Sequence, residues 1–167
     1  MHVRLRAYEN GDFDFARGLY FETMRWAIER HFGWHETHQQ ASFARWFTPK
    51  EVSIITLDGA DVGWIQQRQE RNSIFLGSIY ILPAMQRKGI GTHVIKGLLD
   101  QAEQRSLAVT LAVMKVNPAL NLYQRLGFRI THEDDHKLYM TATPDGARNP
   151  ARESVKTEGA GSDADPR

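Results

Sequence analysis

The stretch Gln86-Arg87-Lys88-Gly89-Ile90-Gly91-Thr92 has the residue types and order of a phosphate-binding loop. It is basic, then glycine-rich, and then opens a helix. At such a point the unpaired backbone N–H groups of the first turn and the positive end of the helix dipole favour a bound anion. Gly89 and Gly91 let backbone approach a ligand closely, so a side chain at Gly91 is expected to occupy the phosphate position. Arg87 and Lys88 add fixed positive charge. The alternative is a tight strand-to-helix turn whose glycines serve geometry alone. Spacing excludes two nucleotide-binding patterns. The Walker pattern G-x-x-x-x-G-K-[ST] does not occur, and a G-x-G-x-x-G fingerprint begun at Gly89 would need glycine where Val94 stands.

Other chemistry-bearing residues are fewer. His31, His35 and His38 have spacings of four and three, which on an unbroken helix would share one face and could hold a metal. Gly33 interrupts that helix, and H-E-T-H is not the H-E-x-x-H zinc pattern, so no metal is expected. Cysteine is absent, which removes thiol nucleophiles, disulfides and Cys-ligated zinc together. A formal charge of +1 offers no basic surface for nucleic acid. Trp26 and Trp64 read as core residues at helical and strand spacing, and Trp34 and Trp46 as core or pocket lining.

The elements that must position the loop follow from periodicity. Residues 2–8 alternate as a strand with Val3, Leu5 and Ala7 on one face, residues 12–32 have helical spacing, and a second helix spans 37–47 before Pro49. Asp58-Gly59 between residues 52–57 and 62–69 is a two-residue hairpin signal. Residues 73–82 complete an antiparallel meander and run into the glycine loop. A helix over 90–104 and an apolar strand over 108–114 then make a β-α-β crossover with parallel strands. Asn117-Pro118 caps a short helix ended by Gly127, and residues 128–132 and 137–141 close a final hairpin. The expected fold class is α/β with a mixed sheet.

With 167 residues, 41% hydrophobic and 25% charged, the chain fits one globular domain. No apolar run reaches the roughly 18 residues a membrane span needs, and residues 1–6 show no secretory signal, so a cytoplasmic protein is expected. Residues 1–143 form the domain. Residues 144–167 have no aromatic residue and one β-branched aliphatic, Val155, and read as a disordered tail.

Two segments together carry a family resemblance. Gln86-Arg87-Lys88-Gly89-Ile90-Gly91 resembles the Q/R-x-x-G-x-G/A signature of the GNAT superfamily of N-acetyltransferases. The segment from Asn117 through Ala119, Leu122, Tyr123 and Gly127 to Phe128 resembles that family's N…A…LYerlGF stretch. The resemblance covers about residues 2–142 and implies a GNAT-like acyl-CoA N-acyltransferase fold, with acetyl-CoA as co-substrate. It implies that the strand before the loop bulges and splays from its parallel neighbour, so that pantetheine pairs with backbone groups of Ile79, Tyr80 and Ile81. It places the pyrophosphate on the loop from Gln86 through Arg87, Lys88, Gly89, Ile90 and Gly91 to Thr92, whose hydroxyl adds a bond. It implies that Asn117 holds the pantetheine arm, that Tyr123 protonates the leaving thiolate, and that a backbone N–H near Ile81 polarises the carbonyl.

The implied reaction is acetyl transfer to a primary amine, of a small molecule or a protein, by direct attack on the thioester. The acceptor must lose a proton, because an alkyl amine with a pKa of about 10.4 arrives mostly charged. Some relatives carry a glutamate on the strand before the loop; here the corresponding residue is Phe75. Glu36 and His35 are the remaining base candidates, in the connection that lines the acceptor site in related enzymes. Asn117 and Tyr123 stand one residue closer than in the commonest family form. The competing reading is a catalytically silent acyl-CoA-binding sensor or scaffold. The sequence leaves open whether the acceptor is a polyamine, an amino acid, an antibiotic or a protein α-amine, and whether the chain forms a homodimer.

Overall fold

Asp58 and Gly59 adopt the positive φ values that a two-residue hairpin needs, 50° and 88°. They join strand β2 (Val52–Leu57) to β3 (Ala60–Gln69), and β4 (Ser73–Ile81) continues the meander. In the computed structural model, which describes residues 1–144, strand β1 (Val3–Ala7) pairs with β2 ahead of them. Helices α1 (Phe13–Phe32) and α2 (Glu36–Trp46) fill the connection between β1 and β2. Helix α3 (Ile90–Gln104) links β4 to β5 (Ala108–Met114), followed by α4 (Leu120–Arg125), β6 (Arg129–Glu133) and β7 (Lys137–Ala142). The sheet order is β1-β2-β3-β4-β5-β7-β6, with β4 and β5 parallel and the other neighbours antiparallel. The mixed α/β architecture expected from the periodicities is present. The assignment of 145–167 to a tail lies outside the described residues.

Alternation sorts the sheet residues into two cores. Ile54 and Trp64 pack with Ala16, Leu19 and Phe43 of α1 and α2, whereas their neighbours Ile55 and Ile65 pack with the α3 side. Successive strand side chains point to opposite faces, so the helices form two layers around the sheet. On α3 the residues Ile90, Val94, Ile95, Leu98, Leu99 and Ala102 are buried, a continuous stripe at helical spacing. Trp64 is fully buried and its Nε1–H donates to the Ala16 carbonyl at 3.0 Å, which fixes α1 on the sheet. At the other edge, Arg6 donates to both Asp12 (2.9 Å) and Asp61 (2.7 Å), tying β1 to the start of α1 and to β3.

One expectation, that Trp26 is a core residue, is corrected. Trp26 is 50% exposed because it lies on the outer side of α1, opposite the buried Met24, Ala27 and Ile28. Leu5 is 47% exposed, because β1 is an edge strand and only Val3 of its apolar face packs onto the core.

The feature that positions the site is a change of pairing along β4. Register with β3 shifts between Gln66 and Gln67, which face Ser78 and Leu76 and leave Gly77 as the extra residue of a bulge. β4 pairs with β5 only through Ser73–Leu76, while β5 continues alongside β7 to Met114. Beyond Leu76 the two parallel strands therefore part. Gly63 on β3 lies so close to this segment that a Cβ there would collide with the Tyr80 carbonyl oxygen and come within 3.2 Å of Ile81 Cα. Gly63→Ala is expected to displace the end of β4 and to destabilise the fold by about 1–3 kcal/mol. Thermal melting checks the loss, and the variant should also lose affinity for whatever ligand occupies the gap.

Candidate active site

The gap between β4 and β5 opens onto the glycine loop. Pro83–Met85 make one 3-10 turn, and the Gln86 side-chain amide then donates to the Ile81 carbonyl at 2.9 Å, tying the loop to the strand end. Gln86 thus has a positioning contact of its own, and the Ile81 carbonyl is already taken. Arg87 and Gly89 have φ of 60° and 82°, a left-handed geometry that turns the chain sharply into α3. Gly89 is the N-cap and offers no side chain, so the amides of Ile90, Gly91 and Thr92 have no intrahelical or capping acceptor. Arg87 and Lys88 are exposed, Thr92 is half-buried, and the Ile90 side chain is in the core, leaving only its backbone to the loop.

A Cβ on Gly91 would lie in ordinary van der Waals contact with Ile81 Cδ1 at 3.4 Å and Leu122 Cδ2 at 3.5 Å, between the end of β4 and α4.

Asn117 and Tyr123 follow β5, the first on the turn into α4 and the second on α4 itself. Asn117 Oδ1 accepts from the Ala119 amide at 2.9 Å and its carbonyl from the Leu120 amide at 3.2 Å, which makes it the cap of the turn leading into α4. Among the described residues its side-chain NH2 group has no hydrogen-bond partner. Tyr123 is 6% exposed, its ring edge-on to Phe128 at 5.7 Å, within the α3-side core. The ring packs as a core residue does, and among the described residues its hydroxyl has no hydrogen-bond partner. Burial pushes its pKa well up, so the phenol holds its proton at neutral pH.

A sequence model of the Acetyltransferase (GNAT) family matches residues 19–128, which span the α1–α2 excursion, the glycine loop and the Tyr123 segment. The chain belongs to that family. A mycothiol acetyltransferase from Acidimicrobium ferrooxidans is 32% identical over 120 residues, covering 63% of this chain and 39% of that protein's length. Among solved structures, the PaiA N-acetyltransferase of Thermoplasma acidophilum, in complex with coenzyme A, superposes with a TM-score of 0.70 at 15% identity, over 86% of this chain and 99% of that one. The ribosomal-protein-S18-alanine N-acetyltransferase of Escherichia coli superposes with a TM-score of 0.61 at 20% identity, over 85% and 94%. At these identities the structural likeness shows the fold.

The GNAT domain's second helical face supplies an aromatic wall. Tyr20 of α1 is edge-on to Tyr80 of β4 (5.4 Å) and to Trp46 of α2 (5.1 Å), and Phe21 is edge-on to Trp34 (5.0 Å). Of the expected base candidates, Glu36 is bonded to this wall through Trp34. Glu36 is exposed, and bonds from Trp34 Nε1 (2.6 Å) and Gln40 Nε2 (3.1 Å) hold its carboxyl below the usual range. His35 is exposed at the N-cap of α2. Phe75 is half-buried beneath the Arg68 guanidinium at 5.0 Å. His31 ends α1 and His38 lies within α2, with Gly33 (φ 77°) between the helices, so the three histidines do not share a helix face. No group of three metal-competent side chains occurs among the described residues. No helix among them is long and apolar enough to cross a membrane.

Asn117 has two separable duties, which gives a test. Asn117→Asp keeps the oxygen that caps the turn and removes the free donor, whereas Asn117→Ala removes both. The alanine variant is expected to lose about 1 kcal/mol of stability, with the aspartate variant close to the parent. Both should bind acetyl-CoA more weakly by calorimetry if the NH2 group meets ligand.

Proposed function

We propose that the protein transfers the acetyl group of acetyl-CoA to a primary amine. The observation that carries this reading is the parting of β4 from β5 directly beside an uncapped helix N-terminus. One ligand with an extended polar arm and a pyrophosphate fits both. The arm would lie along Ile79–Ile81, using backbone groups other than the Ile81 carbonyl, and Asn117 would donate to it from the opposite side. The amides from Arg87 to Thr92, with the Arg87 and Lys88 charges and the Thr92 hydroxyl, would hold the pyrophosphate.

Acetyl-CoA supplies an acyl group already activated as a thioester. The protein's part is to hold the arm extended, aim a backbone N–H near Ile81 at the carbonyl oxygen, and deliver a proton to sulfur from Tyr123. Burial keeps that phenol protonated but also makes it a weak acid against a thiolate of ordinary pKa near 8.5. Its contribution is therefore set toward the lower end of general acid catalysis.

Tyr123→Phe keeps the ring against Phe128 and removes the hydroxyl alone. Turnover, read as CoA release with a panel of amines, should fall by about 10²-fold. Acetyl-CoA should still stabilise the variant, by about 2.7 kcal/mol at a hundredfold excess over its dissociation constant. Unchanged turnover would return Tyr123 to a packing role. A parent protein that binds acetyl-CoA but releases no CoA with any amine would be the silent binding domain instead.

A further inference from the structure

The gap lies between β4 and β5, whereas a separate cavity of about 170 Å³ lies between α3 and the strands β1 and β3. Its α3 wall is formed by His93, Gly97 and Gln101, all exposed and four residues apart. That spacing makes a single row on a helix. The inner lining is apolar, with Ile65 of β3 and Val94 and Leu98 of α3 buried around it. Leu5, half-exposed at the sheet edge, stands on the β1 side.

Two residues of the lining lack the contacts that would explain them as packing. Gly97 lies inside α3, where glycine is less favourable than alanine. A Cβ there would meet nothing within 4 Å, so no neighbour requires the glycine. Its missing side chain leaves the row low between His93 and Gln101, and the cavity open. The other residue is Gln67. Alternation along β3 sends Gln66 to the α1–α2 side, where it bonds to Trp46 and Thr48, and Gln67 to the α3 side. Gln67 Oε1 is buried, and among the described residues it has no hydrogen-bond partner. An amide oxygen left in that state costs free energy that a bound donor recovers.

Charge and size narrow the occupant. None of the residues lining the cavity is acidic, and Arg4 and His93 are among them, so a cation finds no partner. An apolar cavity of about 150 Å³ is enough for a benzene ring. The cavity beside Gly97 therefore has room for one ring with a small substituent, and not for a nucleotide or a peptide.

We propose that this cavity is a second ligand site, and that it takes a small uncharged molecule with a ring-sized apolar body and one hydroxyl, a phenol in the simplest case. The ring lies against Ile65, Val94 and Leu98, beside Gly97, and the hydroxyl pairs with the Gln67 amide. A hydroxyl both donates and accepts, and the amide turns readily about its last torsion. The pair therefore forms whichever end of the amide faces the ligand. A carboxylate lacks the donor, and a hydrocarbon leaves Oε1 unpaired. The site stands on the cavity alone and does not depend on acetyl transfer.

The probe is p-cresol, titrated into free and acetyl-CoA-saturated protein and followed through backbone amide NMR shifts. Saturable shifts are expected at Leu5, Gln67 and Gly97 in both states. Toluene, which lacks the hydroxyl, should bind about tenfold more weakly, and benzylammonium more weakly still. Gln67→Met should bring p-cresol down to the affinity of toluene. Gly97→Leu should fill the cavity and abolish p-cresol binding. Gly97→Ala, whose methyl group meets nothing, should melt no lower than the parent and bind p-cresol more weakly. No saturable shift at these residues, equal affinity for toluene and p-cresol, or undiminished binding in Gly97→Ala would each overturn the proposal. Loss of the shifts on saturation with acetyl-CoA would place the probe in the gap and overturn it as well. So would sedimentation showing a dimer that Gly97→Leu dissociates, because the cavity would then be a contact between copies.

Discussion

β4 is hydrogen-bonded to β3 along nearly its whole length and to β5 only as far as Leu76, and the rest of the molecule is arranged around that asymmetry. Unpaired backbone groups inside a protein are costly unless something satisfies them. A sheet that opens in its middle therefore has to remain rigid on both sides of the opening. On one side, β3 holds β4 closely enough that only glycine fits at position 63. On the other, β5 is held past the opening by β7, which inserts between β5 and β6. The gap is stable because each lip has a full partner on its outer side.

The helices follow from the opening. α3 must return the chain from the end of β4 to the start of β5 on one face, and its buried stripe from Ile90 to Ala102 fixes where its N-terminus lies. That end, uncapped by any side chain, comes to rest beside the point where the strands part. On the other face α1 crosses the sheet under the grip of Trp64 on the Ala16 carbonyl. Gln66 adds a second hold, donating to the Trp46 carbonyl at 3.1 Å and accepting from the Thr48 amide at 3.3 Å. These bonds set α1 and α2 in place, and with them Tyr20 against Tyr80. The uncapped end of α3 and the aromatic wall are products of one constraint.

The sequence made some of this legible because the information was local. The Asp58-Gly59 hairpin, the α3 stripe and the strand over 108–114 each depend on residues within one or two turns of chain, and the structure has them at the expected positions. What depended on distant packing was harder to read. Trp26 has the helical spacing of a core residue, but only the docking of α1 decides that its face is the outer one. Leu5 alternates like a half-buried strand residue, and edge position leaves it exposed. Asn117, expected as the helix N-cap, instead caps the turn ahead of α4, whose own N-cap is Ala119, because its bonds reach only residues two and three positions on. The direction of Gly91 toward Ile81 and Leu122, and the meeting of Tyr20 with Tyr80 some sixty residues away, arise from tertiary packing alone. Nothing in the local pattern around either tyrosine marks it.

The composition of the aromatic wall bears on how the reaction can be run. A carboxylate next to the gap would both attract ammonium and accept its proton, and the strand position where some relatives place one is here Phe75, under Arg68. Removing that charge leaves a region in which burial pushes every nearby phenol toward its neutral form. Neutral groups in a low-dielectric site interact strongly with a developing dipole and weakly with a full charge that has lost its water. One physical cause, burial, thus holds the protons of Tyr20, Tyr80 and Tyr123 in place.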